Sequence, residues 1–188
     1  MIILEYVCIP EKFLCNKSSL RKLQHQIGEF LSVQYSSKGL FTNISHSGNM
    51  IICAVSNQLV GVDIEFIKDV PINEYEFSLF PETIWSKIFS SKNSSLAFLK
   101  YWTMLESALK ACRLGFNVDL KSVIWNDDEG AIFINGEKWL IKNVNVLDCF
   151  ICSVSCQTED SAIEIKEREI STVALKMFLQ NIDNNKSF

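Results

Sequence analysis

The sequence predicts an α+β fold made of two similar halves, each a small antiparallel sheet covered by one long helix. Two observations carry that expectation. Apolar residues recur at helical spacing in two long segments, over Leu20, Leu23, Ile27 and Leu31, and over Phe98, Trp102, Leu105, Leu109 and Cys112. Short β-like runs surround them, so that helix, hairpin, loops, helix and antiparallel strands follow one another in an order that coarsely repeats. The halves are expected at residues 1–90 and 91–188, within one compact unit.

The elements follow in turn. A strand over Ile2 to Cys8 opens the chain, and Pro10 marks a turn. Ser18 or Ser19 can cap the first helix, and Gly39 stops the chain beyond it. Two apolar runs, Met50 to Val55 and Leu59 to Phe66, are joined by Ser56-Asn57-Gln58 and read as a hairpin. Pro71 to Ser95 mixes aromatic residues, prolines and a polar run, and reads as short helices and loops. The second long helix spans about Ser95 to Arg113, with Gly115 placed to end it. Strands then dominate: Ser122 to Trp125, Ala131 to Ile134, Trp139 to Val146 and Phe150 to Cys156, before a polar end at Asp183 to Ser187.

The 188 residues suit one domain, or two small ones sharing a core. Hydrophobic residues form 48% and charged residues 21%, a globular balance. The net charge of −4 disfavours a nucleic-acid binder that depends on bulk phosphate attraction. No run of eighteen apolar residues suggests a membrane span, and the first residues carry no secretory pattern, so a cytoplasmic protein is expected. The seven cysteines are odd in number and sit mostly in apolar runs, unlike a disulfide framework. Cys149 and Cys152 form a C-x-x-C, but a strand through Phe150 to Cys156 turns them to opposite faces, and they read as small core residues.

Three clusters can carry chemistry. In Gly61-Val62-Asp63-Ile64-Glu65, strand alternation puts Asp63 and Glu65 on one face, where a divalent cation or basic neighbours would offset their repulsion; a solvated strand edge reads the same way. Asn43-Ile44-Ser45-His46-Ser47-Gly48 offers hydroxyls, an imidazole and a glycine suited to phosphate oxygens, or else a turn that satisfies its own backbone. In Trp102-Thr103-Met104-Leu105-Glu106-Ser107-Ala108-Leu109-Lys110, Glu106 and Lys110 share one side of a helix, as an ordinary surface ion pair would.

Taken together, the order N-I-S-H-S-G, G-V-D-I-E and W-T-x-x-E-S-x-x-K resembles the 4′-phosphopantetheinyl transferases of the surfactin-synthetase type, over roughly Ser36 to Cys156. The resemblance implies a pseudo-dimer with its active site between the halves. It also implies transfer of the 4′-phosphopantetheine arm of coenzyme A to a serine of an apo acyl or peptidyl carrier protein, a post-translational modification that releases 3′,5′-ADP. Asp63, Glu65 and Glu106 would hold Mg²⁺ with the coenzyme A diphosphate. Glu106 would take the serine proton, and Lys110 would stabilise or protonate the departing ADP. Ser45 and His46 would contact phosphates, as would Lys38, which matches the lysine of a G-K-P segment although Gly39 follows it. Arg21 and Lys22 would meet the 3′-phosphate. The carrier would dock on an apolar surface with a basic rim near Pro71 to Ser95. A chain already holding two halves is expected to act as a monomer.

One position departs from the family pattern: a lysine ordinarily precedes the glutamate, and here Leu105 stands there. Leu105 fits the apolar stripe of its helix and is expected to extend the core. The competing reading is a catalytically silent relative that binds coenzyme A or a carrier without transfer. An unrelated Mg²⁺-dependent phosphohydrolase would leave the Trp102-to-Lys110 pattern unexplained.

Overall fold

The computed structural model describes residues 1–10, 17–72, 78–158 and 163–171, with side chains in the first helix described from Leu20 onward. In chain order these form β1 (Ile2–Cys8), α1 (Lys17–Ser36), β2 (Phe41–Ser47), β3 (Met50–Ser56), β4 (Val60–Phe66), α2 (Glu82–Ser90) and α3 (Ser94–Cys112). There follow β5 (Ile124–Asn126), β6 (Ala131–Ile134), β7 (Glu137–Val144), β8 (Phe150–Cys156) and β9 (Ile165–Glu169). The proposed Ser18 or Ser19 cap and the polar end at Asp183 to Ser187 lie outside the described side chains. Among the described residues no helix is long and apolar enough to cross a membrane.

The strands form two sheets. The first has the order β2-β3-β1-β9, antiparallel except that β9 runs parallel to β1. The second has the order β4-β8-β7-β6-β5 and is antiparallel throughout. The mixed α+β class is as expected, whereas the hairpin is not. β3 is paired on both edges, with β1 on one side and β2 on the other, so β4 has no free edge to join. It crosses instead to the second sheet and pairs with β8, from Val60 opposite Cys156 to Phe66 opposite Phe150. The true hairpin is β2–β3, turning at Gly48 with φ +56°. β9 escaped the sequence reading because Ile165-Lys166-Glu167-Arg168-Glu169 is almost wholly charged, a composition suited to a solvent-facing edge strand.

Three apolar clusters hold the layers together. Ile2, Leu4, Met50, Ile52 and Ala54 of the first sheet meet Val60, Val62, Ile64, Cys152 and Val154 of the second, so one core lies between the sheets. On the far side of the first sheet, Ile27 and Leu31 of α1 pack on Val7, Ile51, Cys53 and Val55. The far side of the second sheet is covered by α2 and α3, through Ile84, Ile88, Phe98, Leu105 and Leu109 against Ile132, Ile134 and Trp139.

α3 starts at Asn93, whose side chain accepts from Leu96 N–H, and closes at Arg113, which adopts the left-handed conformation at φ 60°. The stop therefore falls two residues before Gly115. Leu105 is fully buried in the α3 cluster, as its place in the stripe predicts.

Candidate functional site

The site forms where α3 crosses β4. Gly61 makes the crossing possible, because a Cβ there would lie 2.0 Å from Ser107 O and 2.5 Å from Ala111 N. Beside it, two hydroxyl pairs fasten α3 to β8: Thr103 Oγ1 to Ser153 Oγ at 2.9 Å, and Ser107 Oγ to Ser155 Oγ at 2.7 Å. Residues four apart on a helix and two apart on a strand both step by about 6–7 Å, which is why two such pairs can form in register. All four side chains are fully buried.

With α3 so placed, Lys110 reaches Asp63 of β4, and Glu106 feels the charges of Asp63 and Glu65. Lys110 Nζ donates to Asp63 Oδ1 at 2.6 Å, to Ser45 Oγ at 3.2 Å and to Val62 O at 3.3 Å. Asp63 is buried; its Oδ1 also accepts from Ser45 Oγ at 2.8 Å, while its buried Oδ2 has no hydrogen-bond partner. Burial pushes the Glu65 carboxyl above the ordinary 4.5; the hydrogen bond from Ser47 lowers it, Asp63 raises it, and Lys68 and Lys110 lower it. Burial likewise raises Glu106, with Lys110 opposing and with Asp63 and Glu65 adding to the rise. The three acids thus form one electrostatic group.

This group is the set of carboxylates that the sequence singled out, from two distant segments. As placed, they form no ready cage: among the described residues no three His, Cys, Asp or Glu side chains lie close enough together to hold a metal ion. The donor chemistry nevertheless suits a hard cation. All the acids offer oxygen, one buried oxygen lacks a partner, and Mg²⁺ commonly takes only one or two carboxylates, completing its shell with water and substrate phosphate.

The other candidates separate. Ser45 is buried and turned toward β4, whereas His46, its neighbour along β2, is exposed on the opposite face. Arg21 and Lys22 are exposed near the start of α1, and Lys38 is exposed beyond its end, over the Tyr35 ring at 5.4 Å. The helix from Lys22 to its end at Ser36 rises over fourteen residues, about 21 Å, between those two basic positions. Gln24 donates to Gly48 O at 2.9 Å, which joins the first turns of α1 to the hairpin end of β2 that carries His46. Arg21, Lys22 and His46 thus belong to segments joined at the start of α1, and Lys38 stands beyond its other end.

Sequence reasoning missed how Asn43-Ile44-Ser45-His46-Ser47 is used. It is neither a phosphate loop nor a self-satisfied turn but strand β2, and its alternate polar residues accept hydrogen bonds from β4. Asn43 Oδ1 accepts from Val62 N at 3.0 Å, Ser45 Oγ from Ile64 N at 3.3 Å and Ser47 Oγ from Phe66 N at 3.0 Å. The signal was present in the polar side chains two apart, which are unusual on the inward face of a strand. The C-x-x-C reading as core holds for Cys152, which is buried, while Cys149 is exposed in the loop before β8.

Comparison with known proteins covers two of the three clusters, those around Asp63 and Glu106. The family model described as the 4′-phosphopantetheinyl transferase superfamily matches residues 59–153, half of the chain. The chain is 37% identical over 86 residues to 4′-phosphopantetheinyl transferase gsp of Aneurinibacillus migulanus, covering 45% of this chain and 36% of that protein. It is 34% identical over 82 residues to 4′-phosphopantetheinyl transferase Sfp of Bacillus subtilis (strain 168), covering 43% and 36%. To 4′-phosphopantetheinyl transferase HetI of Nostoc sp. it is 31% identical over 87 residues, covering 43% and 36%. The matched region thus spans little more than a third of each relative.

Proposed function

The chain belongs to the 4′-phosphopantetheinyl transferase superfamily, and from that premise we propose that it transfers the phosphopantetheine arm of coenzyme A to a serine of an apo carrier protein, releasing 3′,5′-ADP. The observation that carries this reading is the buried Asp63 oxygen without a partner, set within one electrostatic group with Glu65 and Glu106. Acids so gathered, two of them with raised carboxyls, favour a cation and the diphosphate that accompanies it.

In this reading Asp63, Glu65 and Glu106 hold Mg²⁺ together with the diphosphate. Bound there, the ion would supply neutralisation of the charge that develops on the departing diphosphate oxygen. Glu106 would also take the proton from the carrier serine. Lys110, held over Asp63 and Ser45, keeps a positive charge at the rim of the acids and steadies the leaving 3′,5′-ADP. His46 with Arg21 and Lys22 forms the basic end suited to further phosphates, and Lys38 supplies a separate cation. Ser45 acts through Asp63.

The carrier would dock at the cavity of about 650 Å³ lined by Phe80, Pro81, Trp85 and Phe89, an apolar surface whose polar members are Glu82, Ser86 and Lys121. The two sheets, each backed by a long helix, suit a pseudo-dimer working as a monomer between coenzyme A and carrier.

The test is mass spectrometry of apo carrier proteins incubated with the chain, coenzyme A and Mg²⁺. Transfer adds the phosphopantetheine mass, and Asp63→Ala or Glu106→Ala abolishes it. Buried Leu105, in place of a family lysine, favours a second reading in which the chain binds without transferring. A coenzyme A-dependent thermal shift without any gain in carrier mass would select that reading.

A further inference from the structure

The contacts between β2 and β4 repeat with a period of two residues on both strands. Ser45 Oγ donates to Asp63 Oδ1 at 2.8 Å and accepts from the next amide, Ile64 N–H, at 3.3 Å. Two residues on, Ser47 Oγ donates to Glu65 Oε2 at 2.8 Å and accepts from Phe66 N–H at 3.0 Å. Two residues earlier, Asn43 Oδ1 accepts from Val62 N–H at 3.0 Å, and the matching position on β4 is Gly61, which has no side chain to hold. These amides face away from β8 and would otherwise be a bare edge of the second sheet. Side-chain oxygens of one sheet thus finish the hydrogen bonding of the other. In two of the three rungs, the same hydroxyl also grips a carboxylate.

We infer that Ser47 is a positioning residue: by bridging the Phe66 amide and the Glu65 carboxylate, it fixes the direction in which Glu65 faces the acidic group. This role rests on the metal-holding reading of Asp63, Glu65 and Glu106. A hydroxyl donor to an acid that holds a cation orients that ligand, and removing such a partner typically costs ten- to a hundred-fold in affinity. Ser47 can serve both groups at once because a hydroxyl donates one hydrogen bond while accepting another. Asn43 supplies the internal control, since its rung secures the backbone alone.

The experiment combines amide hydrogen exchange of the metal-free protein with Mn²⁺ titration by calorimetry, for wild type, Ser47→Ala, Ser47→Thr and Asn43→Ala. Ser47→Ala is expected to speed exchange at Phe66 and to weaken Mn²⁺ by about ten-fold or more. Ser47→Thr, which keeps the hydroxyl, restores both. Asn43→Ala speeds exchange at Val62 and leaves the Mn²⁺ affinity within about two-fold of wild type. If wild type and Ser47→Ala bind Mn²⁺ equally, or if Asn43→Ala loses as much as Ser47→Ala, the positioning role is overturned and the metal reading stands. A wild-type protein that binds no Mn²⁺ while Phe66 stays protected overturns the metal reading, and the role with it.

Discussion

The two long helices cover their sheets in different ways. α1 lies on the first sheet mainly through aliphatic side chains, Ile27 and Leu31 against Val7, Ile51 and Val55, with Ser32 on Thr42 at 2.7 Å and Tyr35 OH on Glu5 at 2.6 Å toward its end. Where α3 crosses β4 and β8, the contact is made by a glycine, four buried hydroxyls and an ion pair. The glycines at the two crossings show the contrast. A Cβ on Gly28 of α1 would meet the Ile44 side chain at 3.1 Å, a neighbour able to shift. One on Gly61 would meet backbone at 2.0 Å, which cannot yield without moving the helix. The crossing at Gly28 can adjust, whereas the one at Gly61 is fixed by backbone contact. A set of charged groups drawn from two elements needs the second kind.

That difference predicts a graded set of responses. The largest is at Gly61: Gly61→Ala forces α3 off β4 and is expected to cost about 3 kcal/mol or more, whereas Gly28→Ala stays within about 1 kcal/mol. Chemical denaturation of both variants measures this, and equal losses would erase the distinction between the crossings. Next is Lys110→Met, which strands the buried Asp63 carboxylate. Breaking a fully buried pair costs about 3–5 kcal/mol, and the partly exposed Lys110 reduces that to about 2 kcal/mol. The double variant Asp63→Asn with Lys110→Met should recover part of the loss in the same assay.

Smaller effects follow from the hydroxyl pairs. Ser107→Ala leaves Ser155 short of a buried partner and is expected to cost about 1–2 kcal/mol, while Ser107→Ala with Ser155→Ala costs less than the sum of the singles. A double-mutant cycle by urea denaturation reads the coupling. The smallest effect is on pH dependence. Burial raises Glu65 and Glu106 above their ordinary value, so the folded chain holds these protons more tightly than the unfolded chain. Their cost is absent below the ordinary glutamate range and grows as pH rises through the raised values. The Tm of the metal-free protein should therefore fall as pH rises above the ordinary glutamate range, and Glu65→Gln or Glu106→Gln should flatten that slope.

The sequence showed the polar crossing only in part. Asp63 and Glu65 were legible from strand alternation, and Glu106 and Lys110 from helical spacing, because each pair is set by local geometry. Leu105 was legible for the same reason, as one more residue in an apolar stripe. Thr103 and Ser107 were not: a search for apolar periodicity passes over hydroxyls, and their burial depends on Ser153 and Ser155, some fifty residues away. The placement of β4 was hidden because a short turn after β3 suggests a hairpin. That pairing was excluded only by β1 and β2, which had already taken both edges of β3. The three polar residues of β2 then found their use in finishing an edge that the hairpin reading had never exposed.

The claim at the centre of this account is that the acids at the α3–β4 crossing serve phosphopantetheine transfer. Its most direct test is the mass of an apo carrier protein after incubation with the chain, coenzyme A and Mg²⁺. A gain equal to the phosphopantetheine moiety, lost in Glu106→Ala and absent without Mg²⁺, is the predicted result. An unchanged mass across acyl and peptidyl carriers, with the wild-type protein folded and Mg²⁺ present, would contradict it.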